Sequence, residues 1–476
     1  MTLERDRATG GRRIQRIISS GGVILRGPGA DDRLWKGRTA TERLLLLSIV
    51  FSPLQRALTI DLGGSPLKIS EVLILLALVG LMFSKRDKVP LPRAATVGLS
   101  ILVVGIVLST MFALVANVDF YYIGVERSLG VDVLVYCAYS VLVVLIFVSM
   151  RTLSLAAVLR ALVIAVWVAT LFVVIQDLAL RSGQLGVLEI LNIDTRQRGV
   201  AIGDVIGGRS GSFAEGQQLG FFAAGAVVAS VWRRSYLTTV AGLYCIVYSQ
   251  ATTGFLALAA AVAVSVLARP RAGTALRVGG GLIVAAIAAA ASPIARDWVE
   301  FQLQKLGLVS GGANALSSLN IRSMKTDVGF DIMWANPVVG VGPGRYGVYF
   351  FPFAEGREVP AYYFSGNTRV IAENAYAQIG AEMGLVGLGG FILLVVALLL
   401  GNWRRSAAGA SLVAAVAVGV ITQSSWTFIP IWIFLAVGAM SLAQTSRISQ
   451  SAALSSPEGH AEGAARSVKP LRRVPR

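Results

Sequence analysis

The segment VIAENAYAQIGAEMGLVG, from Val370 to Gly387, sets a carboxylate, an amide and a Tyr-x-Gln step directly ahead of an apolar run. A carboxylate so placed has two ordinary uses: it can accept a proton, or it can pair with a cation. Arg369 stands four residues before Glu373, the spacing at which a helix surface brings two side chains together. Upstream, NIRSMKTDVGFDIMWANP repeats Ile321, Met324, Val328 and Ile332 at helical intervals and stops ahead of Pro337, which predicts a helix of about four turns. Arg322 and Lys325 lie near its start and Asp327 and Asp331 further on, and they read equally as chemistry or as a solvated polar face. A third polar stretch, GGRSGSFAEGQQLGFF, carries Arg209 and Glu215 ahead of another apolar run, and Glu215 is a second carboxylate able to act as a base.

Several other chemistries lack their residues. The two cysteines, Cys137 and Cys245, fall within apolar runs, so neither a disulfide framework nor a Cys-rich zinc site is expected. The one histidine, His460, belongs to a polar tail whose composition predicts disorder. The stretch Gly342 to Gly347, GPGRYG, has the spacing G-x-G-x-x-G, but a dinucleotide site needs a preceding strand in a βαβ unit. Its glycines suit a tight turn or a close backbone approach.

These polar segments must be positioned by something apolar. Of the 476 residues 55% are hydrophobic and 14% charged, and the mean hydropathy is +0.69. That balance belongs to a chain whose solvent is lipid. Apolar stretches near 43–60, 67–84, 95–115, 128–149, 156–180, 217–232, 237–250, 252–268, 277–294, 382–402, 407–423 and 427–444 predict an all-α polytopic membrane protein of about twelve transmembrane helices. The polar arm ahead of the first stretch argues for a retained anchor in place of a cleaved signal.

The net charge of +17 raises nucleic acid as a partner, but its location excludes it. KRDKVPLPR (85–93), Arg151, WRR (232–234), ARPRAGTALR (268–277), NWRR (402–405) and LRRVPR fall at alternate connections, the cytoplasmic ones by the positive-inside rule. The excess therefore orients the chain in an inner membrane with both termini cytoplasmic, and contacts anionic lipids. The expected organisation is a basic arm at 1–42, helices within 43–294 that include an outward loop at 181–216, a large extracytoplasmic loop at 295–381, three helices within 382–444 and a cytoplasmic tail at 445–476. A loop as long as 295–381 is usually functional, and its many aromatic residues predict a small helical cap.

One set of motifs joins these segments. Arg322 opening a helix, Trp334, then Pro337, Gly340, Gly342 and Gly344, then Glu373-Asn374-Ala375-Tyr376 and Glu382-Met383-Gly384-Leu385-Val386-Gly387 resemble the O-antigen ligase and Wzy-type polymerase superfamily. The Arg209–Glu215 stretch is similar to that family's R-x-x-G-x-F-x-E/N motif. The resemblance implies an integral glycosyltransferase of the GT-C type that inverts configuration, uses no metal or other cofactor, and takes sugar chains from polyprenyl diphosphate outside the inner membrane. Arg209 and Arg322 match the family's arginines and would clamp the diphosphate, with Arg345 and Arg369 in reserve. A guanidinium fork suits phosphate oxygens and stays charged. Where the family commonly carries a histidine as base, this chain has Glu373, which is ionised at its ordinary pKa of about 4.3 and weakly basic until burial raises it. Asn374 and Tyr376 would orient sugar hydroxyls, or simply cap and anchor the helix.

The expected partners are the polyprenyl-diphosphate-linked oligosaccharide, a glycan acceptor and membrane lipids, together with a flippase and a chain-length regulator. A polymerase of surface polysaccharide is the favoured reading. A ligase that transfers a finished chain shares the same donor, and a transporter or an assembly protein are the rivals from other classes.

Overall fold

The computed structural model describes residues 38–61, 66–82, 90–115, 129–195, 208–268, 313–361, 370–423 and 425–454, with short pieces at 18–19, 22–23, 35, 201–202, 205–206, 299–300, 302–304, 309 and 363. It divides into Met1–Arg38, in which Ile18–Ser19 pairs with Gly22–Val23, and Thr39–Arg476. Among the described residues the second unit is helical, apart from two further antiparallel pairs of two residues each, Ile60–Asp61 with Pro66–Leu67 and Ala201–Ile202 with Val205–Ile206.

Its helices in chain order are α1 (Ala40–Val50), α2 (Ile69–Met82), α3 (Arg93–Val115), α4 (Leu129–Met150), α5 (Leu155–Ser182), α6 (Leu185–Ile190), α7 (Gly216–Arg233), α8 (Tyr236–Ser249), α9 (Thr252–Ala268), α10 (Ala313–Ala335), α11 (Tyr346–Phe353), α12 (Ala375–Trp403), α13 (Ala407–Gly419) and α14 (Ile429–Leu454). Local chemistry sets several of their ends. Thr39 and Glu42 form a reciprocal capping box at the start of α1. Gly183, in the left-handed region at φ 71°, stops α5.

By length and composition, Arg93–Val115, Val133–Met150, Leu155–Ser182 and Ala375–Trp403 can each cross a membrane, and α2, α8, α9, α13 and Ile429–Gln444 are shorter apolar helices. Eleven of the twelve stretches expected from the sequence coincide with helices, although α1 already turns at Phe51. The stretch at 277–294 lies outside the described residues, as do His460 and most of the basic connections at 83–89 and 269–277. Where helices face outward they show apolar residues, such as Val104, Val107, Met111 and Phe112 on α3 and Leu385, Ile392, Val396 and Leu400 on α12. That surface suits lipid.

Helix α12 packs along α3 through glycines. A methyl group built on Gly105 would stand 2.8 Å from the Gly387 Cα, and one on Gly390 would stand 2.4 Å from the Leu102 nitrogen. Gly220 of α7 and Gly254 of α9 meet in the same way, with 2.9 Å from a methyl on Gly254 to the Gly220 Cα. Small residues let backbones touch where lipid tails provide no hydrophobic drive between helices. Gly387 and Gly390 thus mark the line of contact, whereas a methyl on Gly389 meets nothing within 4 Å.

Gly384 is different. At φ 64° and ψ −165° it breaks α12, and the loop after α10 fills the gap. The Val341 and Gly342 nitrogens donate to the Ala381 and Glu382 carbonyls at 2.9 Å each, and the Leu385 nitrogen donates to the Pro337 carbonyl at 2.7 Å. The break therefore leaves these backbone groups satisfied, which the low-dielectric interior demands.

The segment before α12 does form a helical cap. Val328 and Ile332 of α10, Val341, Tyr346 and Phe350 of α11, and Ala377 and Ala381 of α12 share one core, with Met324, Phe351 and Tyr363 packed on it. Most of the aromatic residues here are accordingly packing, while Trp334 and Val338 are exposed.

Candidate functional site

Four segments meet beside the cap: the starts of α7 and α12, the α8–α9 turn, and the end of α13. The Ala375 nitrogen donates to the Val420 carbonyl at 2.9 Å, and the Thr422 hydroxyl donates to that of Thr253 at 2.8 Å. Polar residues from each segment face one another there.

Glu373 lies at the centre. It precedes the helix and does not belong to it, so the i,i+4 pairing with Arg369 expected from the sequence has no helix to carry it. Arg369 itself is outside the described residues. Glu373 adopts φ 53°, an uncommon conformation for a residue with a side chain and one that clusters at functional sites. Its Oε1 accepts from Lys325 Nζ at 2.6 Å, and its Oε2 from Arg322 Nε at 2.9 Å. Arg322 and Lys325 are one helical turn apart on α10 and so reach the same carboxylate.

Lys325 is the residue that helical periodicity misjudged. It is not on a solvated face: its side chain is 3% exposed, lies 4.8 Å from the centre of the Tyr363 ring, and its backbone carbonyl accepts from the Tyr346 hydroxyl at 2.7 Å. Only a partner carboxylate 48 positions away explains that burial, and no local pattern encodes it.

Gln217, in the first turn of α7, joins the cluster. Oriented to satisfy both ends of its amide, it accepts from Arg322 Nη2 at 2.6 Å and donates to the Thr422 carbonyl at 2.9 Å. The opposite orientation would give a contact of 3.4 Å to Glu373 and leave oxygen facing oxygen at Thr422. Gln217 was legible only as the polar neighbour of Glu215.

Arg209 and Glu215 reach the cluster from the loop before α7. A methyl on Gly216 would sit 2.8 Å from Arg209 Nε and 2.6 Å from the Ser249 carbonyl, so glycine is what lets this arginine lie against the helix start. The loop is pinned from below by Gln176 of α5. Its Oε1 accepts from the Gly211 nitrogen at 2.7 Å and from the Tyr248 hydroxyl at 3.3 Å, and its Nε2 donates to the Asp194 carbonyl at 2.9 Å. On the far side the Ser212 hydroxyl donates to the Pro53 carbonyl at 2.8 Å.

The remaining sequence candidates are engaged elsewhere. Asn374 caps α12, its Oδ1 accepting from the Tyr376 and Ala377 nitrogens at 3.0 and 3.2 Å. The Tyr376 hydroxyl donates to the Ala417 carbonyl at 2.9 Å, and its ring packs edge-on against Phe391. These contacts hold helices together. Arg345 is 5% exposed at the start of α11 and hydrogen-bonds the Tyr349 phenol. Cys137 and Cys245 are free thiols.

The two carboxylates of the cluster are driven in opposite directions. Burial raises the Glu373 pKa, but Lys325 and then Arg322 pull it back further, so the net result lies below its ordinary 4.5. Burial and the charge of Glu373 push Glu215 upward, and Lys325, Arg322 and Arg209 offset only part of that. Burial alone would have raised Glu373, as the sequence suggested, and the two cations with their hydrogen bonds together reverse the sign.

A carboxylate with a lowered folded pKa contributes stability in full above its unfolded value, and loses it as pH falls through the folded one. Glu373→Gln should therefore lower the melting temperature at neutral pH, by the equivalent of about 3 kcal/mol, because it strands a buried lysine. The gap to the wild type should begin to close as pH falls below the ordinary 4.5 and close further as it passes through the lower native value, where the carboxylate itself becomes neutral. Melting curves in detergent check this, and a gap independent of pH would contradict it.

Residues 237–392 match the Wzy_C family model, described as O-Antigen ligase. No curated protein matches the chain. The matched stretch runs from α8 through the cap into α12 and holds Arg322, Lys325 and Glu373, while Arg209, Glu215 and Gln217 lie just ahead of it. That stretch is 156 of the 476 residues, and the match supports the likeness to the O-antigen ligase and Wzy-type superfamily.

Proposed function

We propose that the protein joins oligosaccharide repeats carried on polyprenyl diphosphate into a cell-surface polysaccharide, as a Wzy-like polymerase of the inner membrane. The family supports glycan transfer of the O-antigen ligase and polymerase type in general. The observation that carries the narrower reading is the convergence of Arg322, Lys325 and the Arg209 loop at one end of a lipid-facing bundle.

The chemistry fits that placement. A sugar leaving from a diphosphate puts negative charge on the phosphate oxygens, and cations fixed in a low-dielectric site stabilise that charge without having to reorganise. Arg322 offers a planar fork and Lys325 a buried point charge. With no donor present, Glu373 supplies the counter-charge that keeps both in place. The donor's polyprenyl chain would lie along the exposed apolar faces of the neighbouring helices.

The turns holding Arg151, Arg233, Arg234, Arg404 and Arg405 join helices at the ends opposite the cluster. That supports an extracytoplasmic site with cytoplasmic termini. The implied partners are the lipid-linked donor, a glycan acceptor and membrane lipids, with a flippase to deliver the donor and a regulator to limit chain length.

The test is incubation of the purified protein with a polyprenyl-diphosphate oligosaccharide, following product length by gel or mass spectrometry. A ladder of added repeats is expected. Transfer of intact chains to a lipid acceptor would mark a ligase instead, and in cells lacking the gene single repeats should accumulate, in contrast to the long unattached chains of a lost ligase.

A further inference from the structure

We infer that Glu215, rather than Glu373, takes the proton from the attacking hydroxyl, an assignment that rests on the glycosyl-transfer reading above. Both oxygens of Glu373 are already held, one by Lys325 Nζ at 2.6 Å and the other by Arg322 Nε at 2.9 Å. To accept a proton it would have to release a cation, and Lys325, 3% exposed, cannot turn to solvent in exchange. A neutral Glu373 would also loosen the cations just when the leaving group needs them.

Glu215 differs in each respect. It is the residue before α7, where a carboxylate commonly caps the helix, yet its side chain makes no capping bond. Among the described residues its carboxylate forms no hydrogen bond and no ion pair. It is half-buried, which leaves it reachable by a hydroxyl. The charged groups that act on it are Glu373 ahead of α12, Lys325 and Arg322 on α10, and Arg209 on its own loop. Burial and the neighbouring Glu373 charge favour its protonated form, which makes it the stronger base of the two. Two carboxylates with environments this unequal divide the work: one holds cations and the other moves the proton.

The step balances. The acceptor oxygen bonds to the anomeric carbon, the bond from that carbon to the phosphate oxygen breaks with its electron pair leaving on the diphosphate, and the hydroxyl proton passes to Glu215. The base must be ionised beforehand, so the rate should fall as pH drops through its pKa, and the raised value brings that fall closer to neutrality.

The experiment is initial-rate chain growth by the full-length protein on a polyprenyl-diphosphate oligosaccharide, from acidic to neutral pH, with melting temperatures taken in parallel. Glu215→Gln should lower kcat by roughly 10²–10⁴-fold, with donor KM and melting temperature little changed, and abolish the acid limb. Glu215→Asp should keep part of the rate and an acid limb, displaced in pH from that of the wild type. A folded Glu215→Gln protein with the wild-type rate and profile overturns the assignment. Should that variant fail to fold, a Glu215→Asp profile whose acid limb does not shift from the wild type overturns it too. If the wild-type protein itself forms no glycosidic bond, the transfer reading has failed, and the missing control activity tells that case apart.

Discussion

Replacing Arg322 with alanine should cut chain growth by roughly 10²–10³-fold while leaving the protein folded in the membrane, the cost of removing one preorganised donor from a developing charge. The fold should survive because Arg322 is 29% exposed and because Lys325 alone still neutralises Glu373. Gln217 would lose one partner but keep the Thr422 carbonyl. Arg322→Lys should recover only part of the rate, since an ammonium restores the charge without the fork that grips two oxygens. Lys325→Ala should behave differently, harming folding as well, because that side chain is buried in the cap. Initial rates paired with melting curves separate the two variants, and an Arg322→Ala protein within a few-fold of wild type would remove the arginine from the mechanism.

Gly384→Ala should yield little folded protein. At φ 64° and ψ −165° the backbone occupies a region that is essentially reserved for glycine. The added methyl would also fall 2.5 Å from the Val338 carbonyl carbon and oxygen, atoms of a backbone already bonded into the break. Conformational strain and overlap each cost about 1–3 kcal/mol, and no flexible side chain can move aside to relieve them. Gly389→Ala is the control: five residues along the same helix, it meets nothing within 4 Å and should be neutral or slightly stabilising. Yields of monodisperse protein and melting temperatures decide between them.

The contrast between these glycines shows where sequence reasoning stops. Runs of apolar residues placed most helices, because spanning a bilayer leaves few other solutions. Arg209, Arg322 and Glu373 stood out through their motifs, and the cap gathers them with Glu215 around one centre. Lys325 did not stand out, since the amphipathic period of α10 marks a core face and a polar face but cannot say that the polar face meets a carboxylate from another segment. The Pro337–Gly344 glycines suggested a turn or a ligand contact. Gly340, Gly342 and Gly344 do take positive φ, and Gly340 lets its loop approach the broken helix at Glu382, more than forty positions away. Asn374 and Tyr376 stood between two readings in the sequence, and their hydrogen bonds are those of a cap and a helix clamp.

The glycine seam between α3 and α12 has a bearing on biogenesis. During synthesis α3 is made long before Ala375–Trp403 exists, and its Gly98–Gly105 strip must wait for a matching strip made about 280 residues later. A chain released before Glu373 would lack both that mate and the carboxylate that neutralises Lys325. Truncated products should therefore be marked out for degradation by their exposed seam, and two separately expressed halves should rescue each other only when both are inserted together.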